Sequence, residues 1–142
     1  MTVTDISFPA LVVFGDGGFL TYKAEDRLTC TNRRGLRKGC YNGLLIIGND
    51  GMAVRTKGAK KLHWTGRFWG YDLFLDWWIK VELIFDGEPF PMDTEELRQI
   101  VLKQLHESDD WQDYEGIEHL IGKVEKAKNA VTIVRLVTST HY

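Results

Sequence analysis

Four positive charges fall within six residues of the stretch TNRRGLRKGCYNG (residues 31–43): Arg33, Arg34, Arg37 and Lys38, broken by Gly35 and Gly39 and followed by Tyr41. Cationic side chains among glycines suit phosphate, because the charges attract it and glycine lets the backbone approach closely. The spacing is wrong for a nucleotide loop of the Gly-x-x-x-x-Gly-Lys-Ser/Thr type. Only three residues separate the two glycines, and Cys40 follows the second. GDGG (residues 15–18) likewise lacks the glycine spacing of a dinucleotide fingerprint. Both clusters read as turn chemistry. A longer basic series, adding Arg55, Lys57, Lys60 and Lys61, with Tyr41, Trp64 and Phe68 as stacking surfaces, has the composition of a single-stranded nucleic-acid site.

Catalytic groups are sparse. His63 with Asp72 or Asp76 would make an acid-base pair if the intervening aromatic segment folds back as a hairpin. Cys30 or Cys40 beside His63 is the thiol-based alternative. Ser7, Ser108 and Ser139 are the only serines, and none sits in a nucleophile elbow. His63, His106, His119 and His141 form no close pair, and the two cysteines form no Cys-x-x-Cys motif. Asp109, Asp110 and Asp113 beside Trp111 do not spell a calcium loop, which needs regularly spaced ligands around a central glycine. No metal or cofactor is expected.

Tryptophan is the more informative excess, with five in 142 residues, at positions 64, 69, 77, 78 and 111. Trp77 and Trp78 are neighbours in a strand-like run, so they must face opposite ways. Trp77 then anchors the core, while Trp78 shares a face with Lys80 and Glu82. Exposed aromatics flanked by charge are common at protein-binding hot spots.

The net charge of -2 conceals a division along the chain. Residues 27–67 carry ten basic groups against one acidic, and residues 68–125 carry fifteen acidic against four basic. Folding can interleave the two halves and cancel much of the field. Two cysteines in a chain of this size are no disulfide framework, and partly buried thiols are expected. The length suits a single α+β domain over residues 1–142. MTVTDISFP has no basic segment before a long apolar run, and no run is long enough to span a membrane. The expected compartment is the cytoplasm.

The elements follow from periodicity. ALVVF, then FLTYK after the GDGG turn, read as two strands, and RLTCT (residues 27–31) as a third. LLII and MAVRT flank GNDG as a hairpin. After a polar KGAKK comes LHWTGRFWGYDLF (residues 62–74), which suggests one or two twisted strands joined at a glycine-containing bend. WWIKVELIF (residues 77–85) alternates cleanly: Trp77, Ile79, Val81, Leu83 and Phe85 on one face, Trp78, Lys80 and Glu82 on the other. Asp86-Gly87 reads as a turn, with Pro89 and Pro91 ending any ladder.

Asp93, with Glu96 three residues on, caps a helix bearing Leu97, Ile100, Val101 and Leu105. DDWQDYEG interrupts, and Ile117, Leu120, Ile121 and Val124 mark a second helix. NAVTIVRLVTST fits either a third helix capped by Asn129 or, from its β-branched density, a final strand. The expected architecture is a predominantly antiparallel N-terminal sheet covered on one face by two or three C-terminal helices.

These readings rank as follows. First stands a non-enzymatic, inhibitory or immunity-like domain that binds another protein through Trp78, Lys80, Glu82, Arg33, Arg34, Arg37 and Lys38. Single-stranded nucleic-acid binding through residues 27–67 comes second, and a small hydrolase centred on His63 third. The first two separate by titration. Single-stranded RNA and DNA should bind no tighter than about 10 μM near 0.15 M salt, or about -7 kcal/mol. Tighter binding that weakens steeply with salt, and is lost when Arg33, Arg34, Arg37 and Lys38 become Ala, would reverse the order.

Overall fold

The computed structural model describes residues 5–15, 17–32, 39–65 and 78–140. In chain order the elements are β1 (Ala10–Val13), β2 (Phe19–Tyr22), α1 (Glu25–Leu28), β3 (Cys30–Asn32), β4 (Leu45–Ile47), β5 (Met52–Thr65) and β6 (Trp78–Pro91). Four helices follow: α2 (Thr94–Glu107), α3 (Asp109–Gln112), α4 (Ile117–Lys126) and α5 (Ala130–Thr138). The strands form one sheet in the order β2-β1-β4-β5-β6-β3, and every pairing is antiparallel. An N-terminal antiparallel sheet with C-terminal helices packed on it is the fold class that the sequence predicts.

The short turns behave as their residues dictate. Gly17, at φ 94°, donates its N–H to the Phe14 carbonyl and reverses β1 into β2. In the β4–β5 hairpin the Met52 N–H donates to Asp50 Oδ1 at 3.0 Å, and Gly51 takes φ 81°. α5 packs against this turn, where a Cβ on Gly51 would stand 2.9 Å from Val131 Cγ2. Arg135 Nε on α5 also donates to Asn49 Oδ1 at 2.8 Å.

The helices use the predicted caps. Asp93 accepts from the Glu96 N–H at 2.9 Å, and Leu97, Val101 and Leu105 of α2 are buried. Arg98 of α2 donates from Nε to the Val124 carbonyl at 3.3 Å and from its guanidinium to Ala127, satisfying carbonyls at the end of α4. The ambiguous last segment is helix. Asn129 accepts from the Thr132 N–H at 2.8 Å, and Ala130, Ile133, Val134 and Val137 are buried. Burial against the sheet outweighs the weak helix preference of β-branched residues. DDWQDYEG contains the single turn α3, which buries Trp111 against Phe19 and Tyr114.

The sheet is buried on both faces, which its half-alternating strands do not announce. Leu11, Val13, Leu45, Ile47 and Ala53 face the helices. Ala10, Val12, Ile46, Val54, Val81 and Leu83 line a second core with Ile6, Leu28, Tyr41 and Leu44. This core exists because the sheet curls. β2 and β3 are its two edges, yet residues 23–29 alone join them through α1. Six strands laid flat would separate the edges by about 24 Å. The eight steps from Tyr22 to Cys30, three of them helical, reach about 22 Å at most.

Two expectations need correction. RLTCT is not strand throughout: Arg27 and Leu28 belong to α1, where the Thr29 hydroxyl and N–H both donate to the Glu25 carbonyl at 2.9 Å. The polar KGAKK, to which the sequence assigns no element, lies within β5, which runs through it with register shifts at Thr56/Gly58 and Lys61/His63. Small Gly58 and Ala59 stand where large apolar residues would have signalled a strand, and a Cβ on Gly58 would lie 2.9 Å from Asn42 Oδ1.

Finally, Asp86-Gly87 does not turn the chain. β6 continues to Pro91 with a bulge that places three residues opposite Val54, Gly87 sitting at φ 85°. Pro89 and Pro91 are tolerated because β3 pairs only with Trp78, Ile79 and Lys80, leaving the rest of β6 on an edge.

Val81 is 1% exposed and Leu83 6%, whereas Glu82 is solvent-exposed, as the alternation of WWIKVELIF requires. Trp77 lies outside the described residues, as do residues 66–74 of the expected aromatic strands. Val81→Asp should therefore lower stability by several kcal/mol, by forcing a charge into the second core. A thermal melt with an unchanged midpoint would overturn this register.

Candidate functional site

On β6, Lys80, Glu82 and Ile84 occupy alternate positions on the face opposite Val81 and Leu83, and Trp78 stands two residues before Lys80. Glu82 is exposed, and Ile84 remains 45% exposed despite its size. Lys80 is half-buried because it leans toward β3, where its ammonium donates to the buried Thr29 hydroxyl. Trp78 opens the strand, in register with Asn32 of β3 and Thr65 of β5. Its side chain lies outside the described residues.

Arg33, Arg34, Arg37 and Lys38 also lie outside the described residues, but their flanks are well anchored. On one side Asn32 pairs with Trp78. On the other, Tyr41 is buried and its hydroxyl donates to the Leu28 carbonyl at 2.7 Å. Thr56 ties the same loop to β5. Its hydroxyl donates to the Tyr41 carbonyl and accepts from the Leu44 N–H at 3.0 Å. Backbone bonds from Gly43 N to Thr56 O and from Thr56 N to Leu44 O complete the anchor. Asn32, Thr65 and Trp78, the described residues flanking the basic segment and the aromatic residues 66–77, thus stand side by side on three neighbouring strands.

Arg55, Lys57, Lys60 and Lys61 are all exposed along β5. They do not stand alone, because Lys60 is opposite Glu82 and Arg55 opposite Asp86. Cross-strand pairs of opposite sign contribute about 0.2–1 kcal/mol each and cancel local potential. The basic and acidic halves of the sequence are interleaved here, which weakens this strand as a phosphate track. Tyr41 cannot serve as a stacking platform, because its ring is buried and its hydroxyl is engaged in the core. The Trp64 side chain and Phe68 lie outside the described residues.

Most of the catalytic candidates have side chains outside the described residues. His63 pairs with Lys80 in the β5–β6 ladder, its side chain undescribed, and Asp72 and Asp76 are outside the described residues. Cys40 is a half-buried thiol against the second core, and burial, followed by the charge of that thiol, raises the Tyr22 pKa above 10.0. His106 and His119 are exposed. Asp109, Asp110 and Asp113 are exposed too, and no group of three metal-ligating side chains gathers among the described residues.

Two features escaped the reading of the sequence. Ile84 continues the Trp78, Lys80, Glu82 face and was legible from the same alternation. A shallow groove of about 410 Å³ runs between α4 and α5, lined by Lys123, Lys126, Lys128, Asn129, Thr132 and Leu136. It depends on how two helices meet, so no local pattern signals it. No helix among the described residues is long and apolar enough to cross a membrane. Comparison with protein-family models, curated proteins and solved structures finds no match for this chain.

Thr56 is 2% exposed, and its hydroxyl serves two backbone groups of the loop that follows the basic segment. Thr56→Val should cost about 1–3 kcal/mol, by removing both of these buried hydrogen bonds, while Thr56→Ser should recover most of it. Chemical denaturation of the two variants checks this. Equal stabilities would show that the hydroxyl does not hold the loop.

Proposed function

We propose that this chain is a non-enzymatic, inhibitory or immunity-like domain that binds another protein through the outer face of β6 and the charged segments beside it. The observation that carries this reading is the exposure of Ile84 between charged neighbours, on a strand that commits Val81 and Leu83 of its opposite face to the core. An apolar side chain ringed by charge has the character of a contact centre with a polar rim. Trp78 extends the same face in register. Arg33, Arg34, Arg37 and Lys38 follow directly from Asn32, the residue paired with Trp78.

The helical layer adds a preference for a basic partner. Glu95, Glu96, Asp109, Asp110, Asp113, Glu115, Glu118 and Glu125 are all exposed on or beside α2 to α4. Complementary charge accelerates encounter and excludes wrong partners more than it strengthens the final complex.

The test is a pull-down from native lysate with tagged wild-type protein, Trp78→Ala and Ile84→Asp, with melts run in parallel. Each variant should fold with a near-normal midpoint and lose its specific partner, Trp78→Ala costing about 2 kcal/mol of binding or more. If Trp78→Ala unfolds the protein, its side chain belongs to a core and the aromatic surface is lost as a hypothesis. If both variants fold and retain every partner, the site is not on this face.

A further inference from the structure

We propose that the open edge of β6 between Val81 and Pro89 is a docking site for one short extended strand of the partner protein, carrying basic residues on either side of an apolar one. This inference rests on the protein-binding reading above and specifies how binding occurs.

The edge follows from the hydrogen-bond pattern. Val81 donates its N–H to the Thr29 carbonyl, on the side away from β5. The N–H and C=O groups of an antiparallel strand alternate in direction, so those of Leu83 and Phe85 point to that same side. β3 has already ended there, and among the described residues no other strand pairs with this part of β6. Both register shifts between Thr56 and His63 place their extra residue on β5, so alternation in β6 holds through Phe85. At the other end, Met92 donates its N–H to Gly51 on the β5 side, and Phe90 pairs with Ala53. Pro89 and Pro91 therefore occupy positions whose N–H would have faced the open side. The prolines and the bulge at Gly87 confine usable donors to Leu83 and Phe85. That window suits a strand of about five residues, the mode of peptide addition to a sheet edge.

The side chains around this window select the occupant. Glu82, Ile84, Asp86 and Glu88 are all exposed. The outer face reads acidic, apolar, acidic over Glu82, Ile84 and Asp86. A strand laid beside it meets these three through its own alternate residues, so basic, apolar, basic is the complement in either direction. A second copy fits poorly. An antiparallel pairing of two β6 strands centred on Ile84 sets Glu82 opposite Asp86, and like charges directly opposite are unfavourable. Lys60 and Arg55 flank Glu82 and Asp86 on the β5 side only, so on the open side, where no described strand pairs, the two carboxylates disfavour a second copy and favour a basic strand.

The probe is the blocked peptide Thr-Lys-Thr-Ile-Thr-Lys-Thr at millimolar concentration, with amide hydrogen exchange of the whole protein as the readout. In the free protein, Leu83 and Phe85 amides should exchange faster than those of Glu82 and Ile84, which face β5. The peptide should slow Leu83 and Phe85 exchange several-fold. Protection should vanish for Glu82→Lys/Asp86→Lys, for a peptide with Glu in place of Lys, and for one N-methylated at alternate amides. Slow exchange of Leu83 and Phe85 in the free protein would overturn the proposal, as would their failure to respond or equal protection by the acidic peptide. Concentration-dependent protection without peptide, together with a dimer in sedimentation, would make the occupant a second copy and also overturn it. A partner recovered in the pull-down that leaves these two amides unprotected in the complex would sink the edge while sparing the protein-binding reading. Loss of that partner on Ile84→Asp alone would not rescue it.

Discussion

Residues 23–29 tie the two edges of a six-stranded sheet together, and most of the architecture depends on that tether. A flat sheet would need one buried face and one wet face. The curl imposed by α1 creates a concave side that must be filled, and the second core fills it with Val12, Ile46, Val54, Val81 and Leu83. β5 and β6 accommodate the curl through bulges, which bend a strand while sparing most of its ladder. The long pairing of β5 with β6 and the short β3 are two aspects of one geometry. Where β3 gives way to α1, β6 becomes an edge.

Polar groups inside this arrangement are few and assigned. Thr29, Thr56 and Thr138 are the buried polar residues among those described, and each hydroxyl bonds to backbone. Thr56 links the 39–44 loop to the middle of β5, and Thr29 receives the Lys80 ammonium at the junction of α1 and β3. Unpaired, such groups would cost more than their bonds contribute, so the loop conformation and the strand registers reinforce one another. Arg98 plays the corresponding part in the helical layer, where its guanidinium joins α2 to the end of α4.

Charge follows the layers more closely than it follows the chain. The helices keep their acidic residues at the surface, whereas the basic residues of β5 are matched in part across the ladder by Glu82 and Asp86. The result is a mixed surface on the hairpin beside an acidic helical layer. The outer face of β6 rests on the core beneath it, because Val81 and Leu83 hold the strand from which Lys80, Glu82 and Ile84 project.

Local pattern alone determined the elements whose signal is self-contained. The period of two in WWIKVELIF specified the burial of Val81 and Leu83 on β6, and Asp93 and the Leu97, Val101, Leu105 spacing specified α2. The GNDG hairpin was equally plain, since turn chemistry depends on four residues. The candidate face was legible in part, because alternation alone groups Trp78, Lys80, Glu82 and Ile84. What remained hidden depended on partners distant in sequence. NAVTIVRLVTST became a helix because the first core awaited its apolar face, and KGAKK became strand because the 39–44 loop packs over its small residues. Asp86-Gly87 became a bulge because β5 continued to pair beyond it, and two prolines were acceptable because no neighbouring strand among the described residues required their donors. Edges, curls and second cores are properties of the assembled sheet. A single strand carries the side chains for them, but only the position of its neighbours decides which backbone groups are left to bind.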